Sequence, residues 1–453
     1  MIRKSSALGL WTLAALVIAN MVGAGVFTTS GFALGDLGSP WRVLAAWGIG
    51  GVLAVCGALS YGALARLIPD SGGEYLYLSR TIHPSVGFIA GWISLLAGFT
   101  AAIAYAALTF SAYAMPENTS PLAANLVASL TIGVALLLHV LRVRQGAWVQ
   151  NAVVAVKLVL MLAFCGFAVF SPGISAWEGL VELQAEAYDI PPFSLPVFAL
   201  TLMWISFSYL GFNAAVYLAG EVPEAREQVP RALLLGTVLT IVIYLVLNVV
   251  FVLVPSFEAA AFQEDIAAVA AAAIGGDPMA TAVRVVVALA LFTSVSAMIM
   301  VGPRVYAKMA DDGFLPPALR FEGETPATAI VMQAVLAIVV VWITGLRELL
   351  SYLGFTLGLS TAATVAALFV AVRRRPEQAA SLPGYPWAPA IFVVFTVLFA
   401  ILATTVNPWE MLAAVVTIAS GALLYLLVRH RWPSWTELES EARSPQISNS
   451  GGE

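Results

Sequence analysis

Runs of about 20 or more apolar residues recur along the whole chain, parted by short polar breaks. Each run is long enough to cross the ~30 Å hydrocarbon core of a bilayer as a helix. Inside lipid no water satisfies the backbone, so a run of this length closes its own hydrogen bonds as a helix. Composition agrees. Hydrophobic residues make up 60% of the 453 and charged residues 10%, with a mean hydropathy of +0.92. A soluble chain is about a quarter charged, which excludes an ordinary globular enzyme. Twelve spans are predicted, near 8–33, 41–66, 84–115, 121–141, 148–172, 194–220, 230–254, 279–301, 326–344, 348–372, 386–405 and 408–428. The fold class is therefore an all-α membrane protein of twelve transmembrane helices.

Charge placement gives the direction. With the amino terminus in the cytoplasm, seventeen of the 21 basic residues fall on cytoplasmic segments. Only Arg42, Arg284 and Arg347 fall outside, and Lys157 lies within a span. The excess of Lys and Arg marks the cytoplasmic side, so both termini are expected there, in a multi-pass protein of the cell membrane. The long outer loops, near 173–193 and 255–278, carry acidic residues and no Lys or Arg. The first run is too long for a signal peptide and no small-residue cleavage site follows it. Residues 1–7 form a short cytoplasmic start, and the polar segment 432–453 reads as a tail outside the transport machinery. Cys56 and Cys165 sit in apolar runs as small hydrophobes. His83, His139 and His430 share no ligand spacing, so no metal or other cofactor is expected.

Two spans are interrupted near their middles, span one at Gly23-Ala24-Gly25 and span six at Ser208-Tyr209-Leu210-Gly211-Phe212-Asn213. Glycine weakens a helix by roughly 0.5–1 kcal/mol, and open backbone groups in lipid are tolerated only in a cavity or inside protein. Close helix packing alone also explains such glycines. Position favours the other reading. Span one opens a set of five spans and span six opens the next five, which must be inverted relative to the first. Matched interruptions in an inverted repeat point to a transporter site. Half-helix N-termini can hold a carboxylate and exposed C-terminal carbonyls an ammonium, the two groups of an α-amino acid.

Gly23-Ala24-Gly25-Val26-Phe27, Pro69 to Tyr77 with Ser71-Gly72-Gly73-Glu74-Tyr75, Glu221-Val222-Pro223 to Ala232, and Arg304 to Pro316 with Asp311-Asp312-Gly313-Phe314 occur in that order on the twelve spans. The chain resembles an amino acid permease of the amino acid–polyamine–organocation superfamily over nearly its whole length. Phe207 to Asn213 is most similar to the L-type neutral amino acid transporters and their bacterial relatives. The resemblance implies a LeuT-like fold: a first inverted repeat at 8–172, a second at 194–372, and two peripheral helices at 386–428. It places the substrate carboxylate on the backbone N–H groups of Ala24 and Gly25, beside Gly23. It sets the ammonium on the carbonyls of Met21, Phe207 and Leu210, with Ser208 in the same pocket and Phe207 covering the substrate from outside. Many relatives carry Ser where this chain has Ala24, so one hydroxyl contact is missing. Asn213 is expected to hydrogen-bond the loosened backbone of span six.

Lys157 lies about nine residues into span five, ~13 Å deep. A lysine at that depth costs ~2.5–3.5 kcal/mol on insertion scales and needs a partner or an aqueous cavity. No Asp or Glu lies centrally in any span. The candidates are Thr293, Ser294 and Ser296 of span eight and the break at Gly23. The resemblance implies that this amine replaces the sodium ion of sodium-coupled relatives. It either carries a proton through the cycle or only ties helices together.

The reading is a sodium-independent secondary transporter of neutral amino acids, by exchange or proton coupling, and not an enzyme. The pocket spans lack the acidic partner that a cationic side chain would want. A transporter of a cationic amino acid or polyamine is the alternative. A membrane-embedded protease or hydrolase would need His motifs that are absent, an ATP-driven pump would need a P-loop, and a channel fits paired broken helices less well. The expected partners are a small amino acid, the bilayer and a candidate coupling proton, with no nucleic acid. No cysteine lies in an outer loop, so no disulfide-linked partner subunit is expected.

Overall fold

The computed structural model describes residues 9–115, 120–140, 191–311, 315–320 and 327–428, with isolated positions between 159 and 167. Every regular element among them is helical. The first span is a bent pair, α1 (Leu10–Met21) and α2 (Ala24–Leu37), whose axes meet at 43°. Next come α3 (Pro40–Leu67), the short α4 (Gly73–Thr81), α5 (Pro84–Ile93) and α6 (Ala102–Ala114), the last two joined by a π-helical stretch, Ser94–Ala101. After α7 (Pro121–Val140) and α8 (Leu195–Tyr209), a 3₁₀ segment, Ala214–Glu221, completes the sixth predicted span. The remainder is α9 (Ala225–Leu253), α10 (Phe257–Ala260), α11 (Ile266–Asp311), α12 (Ala327–Ile343), α13 (Leu346–Arg374), α14 (Trp387–Ala403) and α15 (Pro408–Val428).

Eight of these helices or joined helices are long and apolar enough to cross a membrane, nine with the bent pair, and α12 and α14 are shorter apolar helices. Each coincides with a predicted span. Most of span five, including Lys157 and Cys165, lies outside the described residues, as do 1–8 and 429–453. Lipid explains the surface: Trp11, Leu130, Val242, Ile401 and Leu427 are exposed, which in water would be an unsettled apolar patch. The core lies where α3 packs along α9, α1 along α9, and α8 against α2, α3, α13 and α14.

Three expectations need correction. The first break falls at Val22–Gly23, and Ala24 and Gly25 are already the first turn of α2. In span six the helix runs through Ser208 and Tyr209 and opens at Leu210, where ψ turns to 150°. The segment 255–278 is largely helical. The Asp265 carbonyl accepts the first helical bonds from Ala268 and Val269, and the run Ala267–Ala273 is alanine-rich, alanine being the best helix former. Gly275 and Gly276 then kink the chain into the membrane-spanning part of α11.

Candidate functional site

The two breaks lie on each other. A Cβ on Gly25 would sit 2.5 Å from Ser208 Oγ and 2.9 Å from Ser208 Cα, so the first turn of α2 touches the last turn of α8 backbone to backbone. Gly211 has φ 108°, a conformation that costs glycine little and other residues much. A Cβ there would lie 2.8 Å from the Asn20 carbonyl carbon and oxygen. Each break thus seats its glycine against the other broken span.

The crossing aligns unlike helix ends. The first N–H groups of a helix have no intrahelical partner, and Gly23, the residue before α2, offers no side chain to cap them. Opposite them is the C-terminal end of α8. The partial positive end of one half-helix therefore stands beside the partial negative end of the other. Among the carbonyls, that of Met21 accepts from the Tyr244 hydroxyl at 2.6 Å, and the same hydroxyl lies 3.3 Å from the Ser208 carbonyl. The Phe207 carbonyl accepts from Leu210 N at 2.9 Å. Each keeps a second lone pair.

Hydroxyls and rings fasten the crossing. Thr29 Oγ1 and Ser208 Oγ are 2.9 Å apart, Thr28 shares a hydrogen bond with the Tyr105 hydroxyl, and Ser30 donates to Asn248. The Tyr113 hydroxyl donates to the Phe27 carbonyl at 2.8 Å. Phe207 packs edge-on to Tyr105, with centroids 5.4 Å apart, so the aromatic expected to cover the substrate meets α6. Sequence reading missed Tyr105, Tyr113, Tyr244 and Asn248. Each is a polar group in a largely apolar helix, and only its contact with a broken span, through side chain for Tyr105 and Asn248 and through backbone for Tyr113 and Tyr244, gives it a role.

Two closures flank the crossing. On one face Arg347 Nη2 donates to both Asp36 oxygens, at 2.7 and 2.6 Å, and its guanidinium stacks over Trp204 at 5.3 Å and Phe262 at 5.9 Å. The segment after α10 lies on α2, where the Phe262 N–H donates to the Gly31 carbonyl at 2.8 Å. On the opposite face Glu74 of α4 is buried among α3, the opened part of span six and α13. It accepts from Tyr61 at 2.6 Å, Asn213 at 3.4 Å, Ser360 at 3.4 Å and Thr361 at 3.5 Å.

The structure brings Met21, Gly23, Ala24, Gly25, Phe207, Ser208 and Leu210 to this one crossing. Asn213 departs from expectation. Its amide reaches Glu74, not the span-six backbone, because the 3₁₀ segment already pairs that backbone, with Val216 N donating to Asn213 O at 3.0 Å. Ser294 donates to Ala290 of its own helix at 3.1 Å, and Ser296 lies 2.9 Å from His139 Nε2. Lys157, their expected partner, lies outside the described residues. Among the described residues no group of His, Cys, Asp and Glu is arranged to hold a metal.

A bundle of apolar helices with two broken spans crossed at their gaps defines a polytopic membrane transporter. The amino acid permease family pattern matches residues 8–427, and the chain belongs to that family. It is therefore an amino acid permease, a transporter and not an enzyme. It is 25% identical to the b(0,+)-type amino acid transporter 1 of Mus musculus over 445 residues, 95% of this chain and 89% of the relative. It is 25% identical to the cystine/glutamate transporter of Homo sapiens, over 94% of this chain and 86% of the relative. With the large neutral amino acids transporter small subunit 2 of Homo sapiens identity is 26%, over 86% of this chain and 74% of the relative.

Proposed function

We propose that this permease exchanges neutral L-amino acids across the cell membrane by alternating access, without sodium. The observation that carries the reading is the crossing itself. The uncapped start of α2 faces the end of α8 across Gly25 and Ser208, a pairing suited to a carboxylate on Ala24 and Gly25 and an ammonium on the Met21, Phe207 and Leu210 carbonyls. Since Tyr244 already uses one lone pair of Met21, the ammonium takes the other or relies on Leu210. The relatives' names span large neutral amino acids and cystine/glutamate, so they do not choose the side chain. Neutrality is supported by the groups around the crossing: hydroxyls of Thr28, Thr29, Ser208, Tyr105 and Tyr244, and the Phe207 ring. The charged pair of Asp36 and Arg347 is tied to itself.

The reading includes twelve helices in two inverted repeats, 8–172 and 194–372, with helices at 386–428 outside the core. Both termini are cytoplasmic and no disulfide-linked subunit takes part. Lys157 supplies the cation in place of sodium, and Ser294 and the Gly23 break accept from it. The test is counterflow of labelled amino acids into proteoliposomes preloaded with unlabelled ones. Leucine or alanine should exchange at equal rates when choline replaces sodium. Loss of exchange in choline at constant pH would sink the assignment to Lys157. Competition by lysine or a polyamine, with none by neutral amino acids, would select the alternative cargo. Lys157→Ala and Lys157→Arg should both lower turnover more than substrate affinity, since no contact between Lys157 and substrate is proposed and arginine's planar head does not fit an ammonium's place.

A further inference from the structure

The transport reading leaves one buried acid without a task. Glu74 is 8% exposed, and the groups that meet it are neutral. Only the Tyr61 hydroxyl is at short range, 2.6 Å; Asn213, Ser360 and Thr361 stand at 3.4, 3.4 and 3.5 Å, at the weak limit of a hydrogen bond. The basic groups of the surrounding elements are engaged elsewhere. Arg66 of α3 donates to the Ser381 carbonyl. Arg80 of α4 pairs with Asp70. Arg374 of α13 reaches the Arg80 carbonyl, and Arg375 beyond it the Leu67 carbonyl. Arg373 is exposed, and α5 carries no charged residue. The remaining titratable neighbours are the phenols of Tyr61, Tyr77 and Tyr217, which stay neutral at physiological pH. Among the described residues no cation forms an ion pair with Glu74.

From this geometry we infer that Glu74 is a proton-binding site that governs opening on its own face of the permease: it is protonated while buried and ionised when that face opens to water. A buried carboxylate with one short hydrogen bond and no counter-charge is poorly compensated for lost hydration. Burial, the largest influence, pushes its carboxyl above the ordinary range, against the hydrogen bonds from Tyr61, Ser360 and Thr361. Opening would hydrate it and return it towards the ordinary ~4.3 of a glutamate. The sign follows by linkage. The buried state has the higher pKa and binds more protons, so acid favours closure and a rising pH favours opening. On closing, one Glu74 oxygen takes a proton from hydronium in the water of that face; on opening it returns the proton to the same water. No net proton crosses the membrane in this step. Glu74 can govern the face because its partners span α3, the opened part of span six and α13, three elements that must separate for a path to form. Gly73 adds a contact, since a Cβ there would run into the Tyr217 ring.

The inference rests on the transport reading for its purpose, and its test does not need a substrate. The purified full-length permease in lipid nanodiscs is followed by hydrogen–deuterium exchange of Gly73–Thr81 and Ala214–Glu221 between about pH 5 and about pH 8, corrected for the intrinsic pH dependence of exchange. The wild type should exchange several-fold faster at the alkaline end. Glu74→Gln, the neutral isostere, should stay slow throughout. Tyr61→Phe removes the hydrogen bond that favours the charged form and should move the transition to higher pH while keeping its amplitude. An unchanged pH profile in Glu74→Gln, or a flat profile in the wild type, overturns the inference. If Glu74→Gln does not fold, the direction of the Tyr61→Phe shift decides: a shift to lower pH, or none, overturns it. Counterflow is then measured separately. Absence of all amino acid exchange beside the expected deuterium profile refutes the transport reading and leaves the proton site standing. Counterflow with the same pH dependence in wild type and Glu74→Gln refutes the proton site and leaves transport standing.

Discussion

At the residue scale two positions carry the crossing. Gly25 has no room for a side chain. The atoms a Cβ would meet include the Ser208 backbone, which cannot swing aside. Gly25→Val should therefore cost about 1–3 kcal/mol in overpacking and separate the two half-helices, abolishing substrate-induced thermal stabilisation while the protein still inserts. Gly98→Ala is the control, because its nearest neighbours would be 3.8 Å away, and should bind normally. Retained substrate stabilisation in Gly25→Val would remove this segment from the site. Tyr244 is the second position. Its hydroxyl is the donor for the Met21 carbonyl. Tyr244→Phe should leave that buried acceptor without its donor, at about 1–3 kcal/mol. The loss should be read as a lower melting temperature without substrate, and part of it should return when an ammonium-bearing substrate is added.

At the scale of elements, the Asp36–Arg347 pair ties α2 to the start of α13 at the face away from Glu74. Asp36 is nearly buried and Arg347 more than a third exposed, so the pair is worth less than a fully buried one, about 1–3 kcal/mol. Arg347→Met removes both the charge and the stacking on Trp204 and Phe262. It should speed deuterium exchange in residues 256–265. Arg347→Lys, which keeps the charge without the planar head, should do so less. Equal exchange in both variants and the wild type would show that this pair does not hold the face. The helix at Ile266–Ile274 illustrates how an element escapes prediction. Its apolar run is too short to cross a membrane and is closed by Gly275-Gly276-Asp277-Pro278, so the segment reads as loop until it is seen as one arm of a kinked helix, with Arg284 on the other arm pairing with Asp265.

For the whole molecule, direction is a testable claim. Arg66, Arg80, Arg226, Arg231, Arg373, Arg374 and Arg375 gather at the Glu74 face, and Arg42, Arg284 and Arg347 at the other. On the positive-inside rule the Glu74 face is expected in the cytoplasm. In a chain with Cys56 and Cys165 replaced, an impermeant thiol reagent applied to intact cells should label Glu258→Cys, and should label Glu377→Cys only after permeabilisation. The reverse pattern would invert the topology. In that case the pH sensed by Glu74 would be that of the outside.

Sequence by itself determined the solvent of this protein, its helical class, the places of the spans that the described residues cover and the two spans that break. Each of these depends on the cost of placing backbone or charge in lipid, a cost paid segment by segment wherever the neighbours lie. The interruptions at Gly25 and Gly211 drew attention to two spans, and the resemblance carried by their motifs brought seven residues of the candidate site into view. Tertiary structure alone decided what the breaks touch. That the Gly25 turn meets Ser208, that Tyr244 serves the Met21 carbonyl, that Asn213 turns to Glu74, and that Glu74 has only neutral neighbours among the described residues all depend on residues 13 to 287 positions apart in the chain. A hydrogen bond or a desolvation cost is set by atoms within a few ångströms, and no local period along the chain records which distant atoms those will be.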